Sequence, residues 1–270
     1  MSTQTISNTS SAAAASQRTA FPRSLAGKVA LVVGGAGAIG AATSRQLAAA
    51  GATVAITHLD TERDRAAAQA LIGEVGGPHS AHVADVADTA SLIALRDMLQ
   101  ARYGRLDILV NAAGFTKPVP HADLDALTDE LIDRMMQVNW RGQFAAIRTF
   151  ATMLKASGDG LVVSISSIAA FTGVGSSIAY CAAKAGIDVM TKALARVLAP
   201  EVRVLAVSPG VVDTAFVPGR GTDFNDKVKA STPLKRIGEA EDIAAAITAC
   251  ATMLTFSTGH IIQVDGGRAL

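Results

Sequence analysis

From Lys28 onward, short unbroken apolar runs alternate with longer stretches of helical pattern. "KVALVVGG", "TVAIT", "SAHVADV", "DILVNAAG", "GLVVSISS", "VRVLAVSPG" and "GHIIQVDGG" read as strands. Between them lie helix-patterned segments such as "IGAATSRQLAAAG", "TERDRAAAQALIGEV" and "TASLIALRDMLQARYG". One long helix is expected around "TDELIDRMMQVNWRGQFAAIRTFATML", and a last one at "EDIAAAITACATML". Strands apolar on both sides must be covered on both faces, and alternation with helices makes the sheet parallel. The expected fold is therefore α/β, a doubly wound parallel sheet with helices on both faces. Such sheets bind ligands beyond their strand C-termini, so chemistry should gather where strands end.

The rest of the composition narrows this further. The chain has 270 residues, half of them apolar but only 4% aromatic, so Ala, Val, Ile and Leu must build the core. One domain of this size is ordinary, and no repeat or linker divides residues 25–270. Lys plus Arg number 24 and Asp plus Glu 23, a formal charge of +1. That balance gives no bulk-charge case for nucleic acid or an anionic membrane. No stretch approaches the roughly 18 apolar residues of a spanning segment. Cys181 and Cys250 are far apart and lack metal-ligand spacing, so two free thiols in a reducing cytoplasm, and no metal, are expected. Residues 1–24, rich in Ser, Thr and Ala, have no apolar periodicity or hydrophobic signal centre and read as a disordered tail. Their two Arg and absence of acids also give a faint likeness to a mitochondrial presequence. Around 213–232, "DTAFVPGRGTDFNDKVKAST" shows little regular pattern and is expected to be a loop covering a substrate.

Two local features bear on chemistry. "VVGGAGAIG" follows the first strand and opens a helix, with Gly35, Gly37 and Gly40 at G-x-G-x-x-G spacing. Small residues there let the backbone approach a pyrophosphate seated on the helix N-terminus, the Rossmann-type arrangement; a tight turn without ligand is the plainer alternative. The second feature is "YCAAK", Tyr180 to Lys184, in an alanine-rich helix. Residues four apart share a helical face. Either a half-buried Tyr lies beside a solvated Lys, or the cation favours phenolate and draws the Tyr pKa down from about 10.

Read as Gly34-x-x-x-Ala38-x-Gly40, the glycine turn resembles the T-G-x-x-x-G-x-G turn of the short-chain dehydrogenase/reductase family. Val33 stands in place of its Thr and Ala38 in place of its middle Gly. The resemblance runs from Lys28 to Gly267. "NAAG", Asn111 to Gly114, is similar to the family's N-N-A-G, with Ala112 in its second place. Asn139 in "VNW", Ser167 in "SISS" and the Y-x-x-x-K pair Tyr180 and Lys184 fall where the family has its active-site residues. "PGVVDT", Pro209 to Thr214, resembles the segment facing the nicotinamide, and "VDGG" the closing strand.

This resemblance implies an NAD(P)-dependent oxidoreductase that interconverts a ketone and a secondary alcohol by hydride transfer. It implies Tyr180 as general acid/base and Lys184 as both its pKa-lowering neighbour and the holder of the nicotinamide ribose. Ser167 would donate to the substrate oxygen, and Asn139 would hold a water linking Lys184 to solvent. The cofactor would rest on Gly34, Gly35, Gly37, Ala38, Ile39, Gly40, Asn111, Ala112, Gly114, Pro209, Gly210, Val212 and Thr214, besides Tyr180 and Lys184. Asp85 and Val86 would lie near adenine, although a helix-capping role for Asp85 is equally open. At the end of the second strand the family's NAD-selecting Asp is replaced by His58, which removes a repulsion against the extra phosphate of NADP(H); Asp60 could still reach the ribose. The expectation is NADP(H) or NAD(H), leaning to NADP(H). Phe115, Thr116, Phe171, Val212 and Phe216 suggest a partly apolar pocket for a small-molecule carbonyl or alcohol substrate. Parts of the chain look similar to 3-oxoacyl-carrier-protein reductases and sugar dehydrogenases alike. The family also implies a homo-oligomer, usually a tetramer, joined by the Tyr-Lys helix and the long helix before it. The alternative from another class is a non-catalytic nucleotide-binding redox regulator of the same fold, which would typically lack Tyr180 or Lys184.

Overall fold

The structure, a computed structural model, describes residues 22–219, 221 and 223–270. The tail expected at residues 1–24 lies outside them as far as residue 21. Arg23 donates its backbone N–H to Thr252 O, and its guanidinium pairs with Asp159.

Seven strands form one sheet: β1 (Val29–Val33), β2 (Thr53–His58), β3 (Ser80–Val83), β4 (Ile108–Asn111), β5 (Gly160–Ile165), β6 (Val202–Pro209) and β7 (Ile261–Val264). Their spatial order is β3-β2-β1-β4-β5-β6-β7, and every pairing is parallel. The order reverses between β1 and β4, which opens a crevice at their C-terminal ends. The helices are α1 (Ala38–Ala49), α2 (Glu62–Val75), α3 (Thr89–Tyr103), α4 (Asp129–Met136), α5 (Gly142–Ala156), α6 (Ala169–Thr172), α7 (Ile178–Leu198), α8 (Phe224–Ser231) and α9 (Ala240–Thr252). One apolar layer joins Leu31, Leu109, Val162 and Val204 to Leu95, Phe150 and Ile187 from α3, α5 and α7. The other joins Val32, Ile56, Val110 and Val163 to Leu47, Leu71 and Ile247 from α1, α2 and α9. This is the doubly wound α/β arrangement expected from the sequence, in a single domain.

Local chemistry sets the helix starts. Thr61, Asp88, Thr128 and Ser177 each accept a first-turn backbone N–H, and Glu239 with Asp242 forms a capping box. Three local features differ from the sequence reading. The expected long helix is α4 and α5 joined by a π-helical turn, Gln137–Arg141. A single turn of this kind shifts the helical phase by only one residue, too short a break for periodicity to reveal. A short helix, α6, precedes the Tyr-Lys helix, and α8 lies inside the segment read as loop.

Candidate active site

The glycine turn is built by crowding. Gly34 has φ +79°, and a Cβ there would lie 2.6 Å from Ala113 N. A Cβ on Gly35 would strike the Ile56 side chain, and one on Gly40 would collide with Gly34 O and lie 2.8 Å from Gly35 Cα. Only absent side chains let β1 turn so sharply into α1 against β2 and β4. Gly34 N–H donates to Thr57 Oγ1 at 2.9 Å. A hydroxyl from β2 thus orders the turn in which Val33 has none. Thr57 escaped the sequence reading because a Thr in a strand signals only β-propensity.

This turn suits a dinucleotide. Gly37, the N-cap of α1, caps nothing through a side chain, the first turn carries no acid, and a Cβ at Gly37 would meet nothing nearer than 3.4 Å. The helix therefore offers open N–H groups and its positive end to an anion. Beside it, Asn111 donates to Ser164 Oγ at 3.3 Å while its buried Oδ1 has no partner within the protein. A buried acceptor left open at the sheet's crossing point fits a bound polar group.

Around the turn the other candidates occupy the same sheet edge. His58 ends β2, buried, and its Nδ1 lies 2.8 Å from Leu59 O. A carbonyl only accepts, so Nδ1 carries the hydrogen. Asp60 is exposed and paired with Arg65. Asp85 accepts Ala87 N–H at 2.8 Å, whereas Asp88 caps α3. Val86 is buried against Gly142, where a Cβ would come within 3.0 Å of it. Ala112 continues β4 by donating to Val33 O, and Gly210 continues β6 by donating to Val264 O. Val212 is buried and bridges to Gly238, and Thr214 accepts Phe216 N–H at 3.4 Å.

Across the crevice stands the Tyr-Lys pair. Ser177 caps α7 by accepting Tyr180 N–H at 3.2 Å, which sets Tyr180 in the first turn. Lys184, one turn on, is 3% exposed; its Nζ lies 5.5 Å from the Tyr180 ring centroid and donates to Ile165 O at 2.7 Å. Burial pulls its pKa down to about 7, with Asp188 acting in the opposite direction. The Phe216 ring lies 6.2 Å from that of Tyr180. Ser167 follows β5, and its hydroxyl accepts Ala169 N–H at 3.2 Å, which leaves its own hydrogen to donate. Asn139 sits in the π turn, fully buried; it donates to Phe115 O at 2.8 Å and Met135 O at 2.9 Å and accepts Phe115 N–H. Its amide hydrogens are therefore both engaged in tying α4 to the loop after β4.

The whole arrangement has close relatives. The family model described as enoyl-(acyl carrier protein) reductase matches residues 34–269. The structure of a mutant short-chain dehydrogenase/reductase from Serratia marcescens is 33% identical over 91% of this chain and 99% of its own, with a TM-score of 0.82. The protein belongs to the short-chain dehydrogenase/reductase family. Another relative, the D-threitol dehydrogenase of Mycolicibacterium smegmatis, is 36% identical over 93% of this chain and 96% of its own. A blue fluorescent protein from a metagenomic library, solved with NADPH, is 34% identical over 91% of this chain and 99% of its own, with a TM-score of 0.82. This short-chain dehydrogenase/reductase is an oxidoreductase of the NAD(P)-dependent class acting between CH–OH and C=O.

Among the expected pocket residues of this short-chain dehydrogenase/reductase, Phe171 and Phe216 are exposed. Thr116 is buried with its hydroxyl on Ser176, and Phe115 packs beside Met135 and Ala183. Cys181 is buried beside Gly175 and burial raises its pKa, which is the behaviour of a packing thiol. Among the described residues no group of His, Cys, Asp and Glu is arranged to hold a metal, and no helix is long and apolar enough to cross a membrane.

Proposed function

We propose that the chain interconverts a partly apolar ketone and its secondary alcohol beside Tyr180, with NADP(H) preferred over NAD(H). The observation that carries this reading is the Lys184 ammonium 5.5 Å from the Tyr180 ring, at the sheet edge shared with the glycine turn. A bound nicotinamide supplies or accepts the hydride. Tyr180 exchanges a proton with the substrate oxygen, and Ser167 donates its remaining hydrogen to the same atom as negative charge develops. Lys184 spends one N–H on Ile165 O, which leaves two of its three for the ribose and the phenol side. Asn139 serves the proton path by fixing the π turn; any water its side chain holds meets an acceptor, because both amide hydrogens are engaged. Phe216, whose ring lies beside that of Tyr180, supplies the apolar side of the substrate site.

The preference for NADP(H) rests on the absence of a carboxylate at His58, on Arg65 countering Asp60, and on the NADPH-bound relative. Fluorescence titration should give a lower Kd for NADPH than for NADH; tighter binding of NADH would overturn the preference. A reducing cytoplasm suits the two buried free thiols. A tetramer is supported by the outer face of α7, where Val189 and Val197 are 66% and 65% exposed, and light scattering at several concentrations tests it. The reaction itself is tested by a panel of ketones and alcohols, read by nicotinamide absorbance with both cofactors. Absence of any turnover across the panel would contradict it.

A further inference from the structure

Phe216 reaches across the sheet edge. It comes after β6, yet its ring faces Gly114, which comes after β4: a Cβ on Gly114 would meet Phe216 Cε2 and Cζ at 3.5 Å. β5 runs between those two strands, so the segment and its side chain span two strand spacings, roughly 10 Å. The ring therefore stands over the end of β5, where Ser167 emerges. It is tilted 53° to the Tyr180 ring at 6.2 Å, within the range of paired aromatic rings. At 41% exposure it also presents surface to the crevice. The wall beside it is apolar, and its polar groups are engaged. From Ser167 to Tyr180 the chain carries no charged residue, and Phe171, Val174 and Ile178 of this stretch are exposed. Gly175 lies against the Tyr180 ring, where a Cβ would come within 3.4 Å of Cδ1. The hydroxyls of Thr116 and Ser176 bond to each other, Thr172 donates to Ile168 O at 2.9 Å, and Asn139 has both amide hydrogens engaged. Asp213 accepts from Asn225 Nδ2 at 3.0 Å.

We propose that Phe216 selects the substrate, an uncharged ketone carrying an aryl ring on its carbonyl carbon, or the matching benzylic alcohol. This rests on the acid/base reading of Tyr180 given above and names the substrate class within it. With the carbonyl oxygen between Tyr180 and Ser167, the flat apolar surface that stands over both is the Phe216 ring. A flat aryl substituent packs face or edge against it, as aromatic pairs do. The carbonyl carbon takes the hydride of the reduced nicotinamide and the oxygen takes a proton from Tyr180, giving the benzylic alcohol and oxidised cofactor. A sugar or polyol entering the same place sheds its bound waters and meets hydroxyls already engaged, which leaves its own unpaired. A phosphorylated or carboxylate substrate finds no cation between Ser167 and Tyr180 to pair with.

The test compares acetophenone, 2-pentanone and xylulose as substrates in the presence of NADPH. The expected kcat/KM for acetophenone is at least about tenfold that for 2-pentanone and about a hundredfold that for xylulose. Phe216→Ala should bring the first ratio close to one, whereas Phe216→Trp, which keeps a flat ring, should preserve it. Should Phe216→Ala not fold, Phe216→Leu keeps the bulk and removes the flat face, and the same loss of preference is expected. Calorimetry without cofactor gives a second readout: acetophenone should bind about tenfold more weakly to Phe216→Ala than to wild type. A preference for 2-pentanone or xylulose overturns the proposal. So does an acetophenone preference that survives both Phe216→Ala and Phe216→Leu. Absence of turnover with all three ketones, while acetophenone binding still depends on Phe216, would overturn the acid/base reading instead.

Discussion

Lys184 carries an ammonium into a place that is 3% exposed, with its pKa pulled from 10.5 to about 7. Below pH 7 both folded and unfolded chains hold the proton, and the folded state bears the full desolvation cost. Between about pH 7 and 10.5 the unfolded chain keeps a proton that the folded chain has released, so stability rises with pH across that window. Lys184→Met should therefore unfold later than wild type at pH 6, by about 1–2 kcal/mol or a few degrees in Tm, while losing activity. The advantage should shrink as the pH is raised towards 10; thermal unfolding at pH 6 and 9 measures it, and an advantage independent of pH would contradict the cause given. The one-turn spacing of Tyr180 and Lys184 was legible in the sequence because a helix makes neighbours of residues four apart. The Ser166–Asp188 bond was not, because its partners lie 22 residues apart and meet only when β5 packs beside α7.

At the scale of elements, the turn between β1 and α1 separates two kinds of glycine. A Cβ at Gly40 would run into the backbone of Gly34 and Gly35, whereas one at Gly37 has no neighbour closer than 3.4 Å. Gly40→Ala should cost at least about 2 kcal/mol of stability and weaken cofactor binding more than tenfold. Gly37→Ala should leave the denaturation midpoint within about 0.5 kcal/mol of wild type; equal losses in both would show that the crowding does not set the turn. The G-x-G-x-x-G spacing announced the turn, and strand ends announced His58, Asn111 and Pro209. The π turn that buries Asn139 gave no such signal. Nor did α8, whose residues Phe224–Ser231 hold only one buried apolar side chain, Val228, too few to impose a readable period.

Over the whole molecule, the end of the sheet opposite the crevice is tied by one carboxylate. Asp107, 1% exposed, accepts Val29 N–H at 2.9 Å and pairs with Lys28 and Arg105 across the feet of β1 and β4. Burial works to raise its pKa, but the Arg105 fork, the Val29 N–H and Lys28 outweigh it and hold the carboxyl below its usual range. A depressed carboxyl contributes stability above its unfolded pKa, near 3.9, and loses it as pH falls through the folded value. Asp107→Asn should cost about 3 kcal/mol at pH 7, and much less near pH 2, in urea midpoints followed with pH. That scaffold holds β1, β4, β5 and α7 in register, so that a turn, a strand end and a helix face, distant in sequence, share one crevice. The central claim is that Tyr180 trades a proton with the substrate oxygen there. Its most direct test is Tyr180→Phe, with cofactor affinity by fluorescence and turnover by nicotinamide absorbance measured on the same preparation. The expected result is an affinity within about threefold of wild type and turnover lower by about 10²–10⁴-fold; turnover close to wild type would contradict the claim.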